Sequence, residues 1–409
     1  MNRIFLVIPF ILTFSASATD VLDLYERSRK NHELFQENIL SLKKTELEVS
    51  ESYKTLLPSL SFESIHFYGN QTLVNESGYD RIDNQQSLAM NLTLFKGGLR
   101  GTYSKLEDVL PKVTKSTNRK AEIQHFFKIS NNYFSLMKLK QEKKFLEEQK
   151  LGLSRRVASL NERAKIGRNK KTDYLVTLAQ LKKLEVSLLT LEEKIFDFHN
   201  SLRELVGESV DSSQFQIDFS VAENIPLAWK DRFKNHPDLN DLANKIEQQK
   251  LLVDLEKSSY WPQVDLNSNY YLHRRAFGRQ DDWDVSVSVS WTLTDFGLTS
   301  SRVEQMSVEL SKLMVSKSRV EKEVTVFAEN LEHQFTTKKH LLAALKESLK
   351  VVERNYKLHL LEYDKGLVNN IDLMRAFDEL VETQKQYSAI HHDLVELWYA
   401  MKAFVGDIA

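Results

Sequence analysis

Two kinds of hydrophobic periodicity alternate along this chain, and each occurs twice. From Val285 to Thr294 every second residue is apolar and its alternate carries a hydroxyl. Period two is the mark of a β-strand with one apolar and one wet face, and Val, Trp and Thr favour that conformation. Asp295-Phe296-Gly297-Leu298 closes the strand, and from about Arg302 to His359 there is no Gly or Pro while apolar residues recur at helical spacing. A very long helix is predicted there. Earlier in the chain, Leu88, Met90, Leu92 and Leu94 alternate with Ser87, Ala89, Asn91 and Thr93, and Phe95-Lys96-Gly97-Gly98 closes that strand.

The first occurrence reads in order. Residues 20–57 predict a helix stopped by Pro58, and Ser59 to Tyr68 alternates imperfectly. A turn-rich polar stretch then joins it to the strand ending at Lys96, which predicts a β-hairpin with a long loop. From Leu99 to about Ala164 the pattern is helical, interrupted at Pro111 and Gly152. After Gly167-Arg168-Asn169-Lys170 the return segment carries Leu181, Leu184, Leu188, Leu191, Ile195, Phe198, Leu202 and Leu205, spaced alternately by 3 and 4. That is an a/d seam, so the two helices predict an antiparallel coiled-coil hairpin; ~65 residues of helix span roughly 100 Å.

The order then repeats. Asn31-His32 returns as Asn235-His236 and Leu57-Pro58 as Trp261-Pro262, with strands at about 262–272 and 284–294. Gly98-Leu99 becomes Gly297-Leu298, Gly167 becomes Gly366, Asp173 becomes Asp372, and Val206-Gly207 becomes Val405-Gly406, all at one offset of 199 residues. The earlier pairs differ from that offset by five, so the second hairpin loop is shorter. Agreement across helix, strand and turn indicates a tandem duplication. We divide the chain into a first repeat at 19–207, a linker at 208–231 without clear period, and a second repeat at 232–409. The fold class is α+β.

Composition narrows the setting. Asn2-Arg3, the apolar run Ile4 to Phe14 and Ala16-Ser17-Ala18 form a signal peptide over 1–18, cut before Thr19. The mature chain is therefore exported. No later stretch is long and apolar enough for a spanning helix, so any membrane crossing must use a closed β-barrel. Four strands per copy cannot close one, whereas three copies supply twelve. On that reading Val285, Val287, Val289, Trp291 and Leu293 face lipid, and Ser286, Ser288, Ser290, Thr292 and Thr294 line water. The alternative is an ordinary antiparallel sheet on the core of a soluble exported coiled-coil scaffold or adhesin.

Catalytic chemistry is hard to find. Net charge is −1, with 56 Lys+Arg against 57 Asp+Glu interspersed, so no nucleic-acid surface stands out. Cysteine is absent, and the 11 histidines are scattered. His391-His392 point to different faces of a helix and lack a third ligand, so no metal or other cofactor is expected and the chain does not read as an enzyme. Arg274, Arg275, Arg279, Asp281 and Asp282 in one strand–strand loop, and Asp80, Arg81 and Asp83 in the other, are expected as solvated rims.

The duplicated order, the strands opening after Pro58 and Pro262, the two strand-to-helix corners, the tip glycines Gly167 and Gly366 and the closing Val-Gly pairs together resemble the TolC-like outer-membrane efflux proteins. The resemblance covers essentially the whole mature chain. It implies a homotrimer in the outer membrane of a Gram-negative-type bacterium, with a twelve-stranded barrel and a periplasmic α-barrel of helical hairpins. Its implied partners are a periplasmic adaptor and an inner-membrane transporter of the RND, ABC or MFS type, serving efflux or type I secretion. Asp372 matches the first carboxylate of the family's pore constriction, and Arg375 stands where a second is usual. Tyr363 and Asp173, with Thr172 beside it, match a latch that holds the tips shut, and Val368 replaces an arginine that assists it. Gly167, Lys170, Lys171 and Gly366 mark the tips where an adaptor would dock. From the residues alone, capping of a helix start serves Asp173 and Asp372 equally, and seam packing serves Tyr363.

Overall fold

The computed structural model describes residues 19–71, 79–166, 170–226, 229, 236–274 and 282–408. The signal segment, Gly167, Arg275, Arg279 and Asp281 lie outside the described residues, as does part of the 208–231 segment.

The chain opens with α1 (Val21–Asn31), whose start is fixed by a reciprocal capping box between Asp20 and Asp23. The single helix expected over 20–57 is in fact two. His32 adopts extended backbone, and its Nδ1 accepts the Leu34 N–H at 3.1 Å, so its ring opens α2 (Glu33–Lys54) as a cap. Next come β1 (Ser59–Gln71) and β2 (Tyr79–Lys96), then α3 (Leu99–Lys165) and α4 (Lys171–Val206). Pro111 does not interrupt α3, which runs unbroken through 67 residues. The neighbouring Leu106, Val109 and Val113 pack on Leu251 of α5 (Pro237–Lys257), and that burial offsets the lost backbone bond. The strands β3 (Gln263–Arg274) and β4 (Trp283–Ser290) and the helices α6 (Leu298–Asp364) and α7 (Asn370–Phe404) complete the order.

The four strands form one antiparallel sheet in the order β1-β2-β3-β4. Its register aligns Leu60 with Met90, Ser268 and Val285, and Phe62 with Leu88, Tyr270 and Trp283. The expected strand to Thr294 stops four residues early. Its partner β3 begins at Gln263, which pairs with Ser290, and the preceding Pro262 has no N–H to offer. Trp291 and Leu293 therefore belong to the corner, where the indole of Trp291 donates to the Tyr260 carbonyl at 3.1 Å. The corner is held by Asp295, whose carboxylate accepts the N–H groups of Gly297 and Thr299 at 3.0 and 2.7 Å. Those bonds accompany a positive φ of 54° at Phe296.

Two compact units divide the chain. One comprises residues 37–120 and 237–323 and holds the sheet with the adjoining helical segments; the other comprises residues 1–36, 121–236 and 324–409. In the second unit the 208–226 segment is packed rather than loose. Its short helical turns start at Asp211 and Asp218, whose carboxylates cap them, and Phe215 forms a parallel bridge with Thr19. The Tyr133 hydroxyl donates to Gln216 O at 2.6 Å, and Val210, Phe215 and Ala222 are buried. Two short turns explain why no period was visible there.

Candidate functional site

Two places in the protein carry its specific chemistry: the sheet, and the ends of the four long helices. On the sheet, the register sorts the side chains by face. One face carries Leu60, Phe62, Leu88, Leu92, Leu266, Tyr270, Trp283, Val285, Val287 and Val289, and Val287 and Val289 are 61% and 68% exposed. An unburied apolar band of this extent is costly in water and favourable in lipid. Trp291 and Leu293, also exposed, continue it past the strand end. Leu94 drops out of the alternation, because a bulge between Thr93 and Phe95 pairs Phe95 with Val264 instead.

The opposite face is a polar ladder. Asn91 donates to Asn267, which donates to Ser288 Oγ at 3.1 Å; Thr93 donates to Asp265 at 2.8 Å. Asn269 and Tyr271 both donate to Asp284, at 2.9 and 2.6 Å. Each ladder group satisfies a neighbour across strands, so the wet face is ordered without a covering layer.

At the helix ends, Gly366 takes φ +75° and ends α6, with Gly366 N donating to Tyr363 O and Leu367 N to Glu362 O, both at 2.9 Å. Asn369 caps α7 by accepting the Asp372 N–H at 2.9 Å. The Asp372 carboxylate is 3.8 Å from the Arg375 guanidinium one turn on, so the acidic position is accompanied by its own counter-charge. Lys170, Lys171 and Thr172 are exposed at the start of α4, beside exposed Ile166, Leu175 and Val176.

The expected latch is not formed as a hydrogen bond between Tyr363 and Asp173. Tyr363 instead presents its ring face to Arg156, whose guanidinium carbon lies 4.1 Å from the ring centroid. Arg156 Nε donates to Asn370 Oδ1 at 3.0 Å; Asn370 Nδ2 donates to Thr177 Oγ1 at 3.0 Å; and Thr177 donates to the Asp173 carbonyl at 2.9 Å. Asp173 thus takes part through its backbone. Beneath this chain Leu153, Leu181, Leu373, Met374 and Phe377 form a buried cluster against which Tyr356 and Tyr363 pack. Burial pulls the Arg156 pKa down, while Tyr363 and Tyr356 oppose the shift. Sequence reasoning missed Arg156, Asn370 and Thr177. Asn370 reads as a helix-start residue and Arg156 as a solvated coiled-coil position, so nothing in the periodicity marks them.

In the same unit, Asp393 is shared by Lys138 and Lys338, at 2.8 and 2.5 Å, with Glu396 3.2 Å from Lys138. Burial pushes the Asp393 carboxyl up, yet the two lysine hydrogen bonds outweigh it and hold it below the usual range. His391 and His392 pack on one ring: His391 stacks on Phe219 at 4.0 Å, and His392 meets the same ring edge-on while its Nδ1 contacts Ser388 O. Among the described residues no group of three His, Asp or Glu side chains is placed to hold a metal, and no helix is long and apolar enough to cross a membrane.

Residues 230–407 match the model of the family described as Outer membrane efflux protein. These residues are somewhat under half of the chain, and over them it is similar to that family. The fold extends the likeness over nearly the whole length. The outer-membrane channel OprN is similar with a TM-score of 0.82 at 15% identity, covering 95% of this chain and 90% of that one. The CmeC outer membrane channel of Campylobacter jejuni is similar with a TM-score of 0.78 at 15% identity, covering 95% and 86%. VceC of Vibrio cholerae gives 0.78 at 14% identity, covering 94% and 96%. No match is found among curated protein sequences. An outer membrane efflux protein is a passage and not an enzyme, and its place is the outer membrane. The apolar band and polar ladder are the sheet chemistry such a place requires.

Proposed function

We propose that this protein is the trimeric exit duct of a tripartite efflux or type I secretion system. Substrates pass through its lumen passively, and the helical tips gate the passage. The observation that carries this reading is the sheet itself. It is apolar on one face and hydrogen-bonded in a polar ladder on the other, and β1 and β4 are each paired on one side only. Lipid tolerates no open sheet edge, so β4 of one copy must pair with β1 of the next until the ring closes. Three copies give twelve strands, enough for an aqueous lumen lined by Ser286, Ser288, Ser290 and Asn267.

The tandem division at 19–207 and 232–409 fits this role, because each repeat contributes two strands and a helical hairpin. The exposed lysines Lys170 and Lys171 and the apolar Leu367 and Ile371 at the tips are offered to a periplasmic adaptor, which links the duct to an RND, ABC or MFS transporter. Asp372 and Arg375 form the constriction, and their pairing predicts weak ion selectivity.

The test is planar-bilayer conductance of the purified protein, with its oligomeric state measured in detergent. Stable ion-conducting channels from a trimer are expected. A water-soluble monomer without conductance would overturn the reading in favour of an exported scaffold.

A further inference from the structure

The four long helices end at one connected set of side chains, and a single arginine joins most of it. Arg156 belongs to α3, Thr177 to α4, Tyr363 to α6 and Asn370 to α7. Asn370 and Thr177 are 2% and 0% exposed, so both must find partners inside the protein. The Asn370 amide is oriented by its two ends: its oxygen receives Arg156 Nε, and its nitrogen donates to Thr177 Oγ1 and, at 3.5 Å, toward Asp173 O. Thr177 gives its one proton to Asp173 O, which leaves its lone pairs free to accept from Asn370. Every step of the chain is therefore directional.

Arg156 Nη2 is buried without a hydrogen-bond partner, while the guanidinium lies against the Tyr363 ring. A ring face stabilises a planar cation that lies against it. The offset of 199 residues places Asn355 opposite Arg156 and Lys171 opposite Asn370, so the duplication does not supply a second copy of the arrangement.

We propose that Arg156 is the positioning residue that restrains the tips, tying the α6–α7 hairpin to the α3–α4 hairpin through the Tyr363 ring face and the Asn370 amide. This rests on the gated-duct reading above and assigns its restraint to different atoms. Opening that separates α3 from α6 and α7 must break both Arg156 contacts together.

The experiment compares Arg156→Gln, Arg156→Lys, Tyr363→Phe and Tyr363→Ala in planar bilayers, together with amide hydrogen exchange over residues 370–377 of the purified wild-type and variant proteins. Arg156→Gln and Tyr363→Ala are expected to raise open probability about tenfold and to speed exchange at the start of α7. Arg156→Lys, which keeps the charge but loses the planar fork, should fall between them and wild type. Tyr363→Phe should behave as wild type, because it keeps the ring. A rise for Tyr363→Phe equal to that for Tyr363→Ala would overturn the proposal in favour of a hydroxyl latch. Unchanged open probability and exchange in Arg156→Gln would overturn it outright. If wild type does not conduct, the duct reading fails, and the exchange at 370–377 still decides whether Arg156 holds the helix start.

Discussion

His125 Nε2 lies 2.7 Å from Ser28 Oγ and 3.0 Å from the Leu205 carbonyl, which ties α1 and the end of α4 to the middle of α3. Burial, helped by the nearby His32 and Lys128 charges, lowers the His125 pKa to about 4. A base whose folded pKa is depressed stabilises the fold above its unfolded value near 6.5, and that contribution is lost as pH falls from there toward 4. At pH 4 the loss is about 3 kcal/mol. Melting temperature should therefore drop between pH 6.5 and 4, and His125→Asn should flatten that slope. An unaltered slope in the variant would place the acid sensitivity elsewhere.

Gly207 ends α4 at φ +77°, and a Cβ built there would lie 2.9 Å from the Asn31 carbonyl oxygen. Both backbone groups are fixed, one by α4 and one by the end of α1, so neither can give way cheaply. Gly207→Ala should cost about 2 kcal/mol or more from the left-handed backbone and the contact combined. A thermal melt of the detergent-solubilised protein checks this, and a shift of less than a degree would mean that the helix end relaxes.

Adjacent residues of β4 should answer oppositely to one substitution. Val287→Arg puts a charge on the apolar face and should cost about 2–4 kcal/mol, seen as loss of the assembled oligomer in outer-membrane fractions. Ser288→Arg lies on the polar ladder beside Asn267 and should assemble, changing single-channel conductance instead. Equal loss of assembly in both would mean that the faces are assigned wrongly.

Arg375→Asp should remove the counter-charge from Asp372 and place two carboxylates on the first turns of α7 in every copy. Reversal potentials in a salt gradient should shift toward cation preference. Unchanged selectivity would locate the constriction away from these residues.

The sheet and the long helices were legible in the sequence because both periods are strict. The Val-Ser alternation at 285–290 can only put valines on one face. The strand end was not legible, because Trp291 and Leu293 keep the alternation after the partner strand has stopped at Gln263. Propensity does not know where a neighbour begins. The helix break at His32 was hidden for a similar reason, since it depends on a side-chain cap and on the His125 ring 4.4 Å away. At the tips, the sequence names Asp372 and Tyr363 as candidates but gives no sign of the side chains packed around them. Arg156 is remote in sequence from both, and only folding brings it over the ring.

The bare margins of β1 and β4 also bear on how the protein reaches its place. A copy newly delivered to the periplasm carries two rows of backbone donors and acceptors that any passing strand could seize. On the trimeric-duct reading it gains protection by meeting its sisters, which couples assembly to insertion into the lipid.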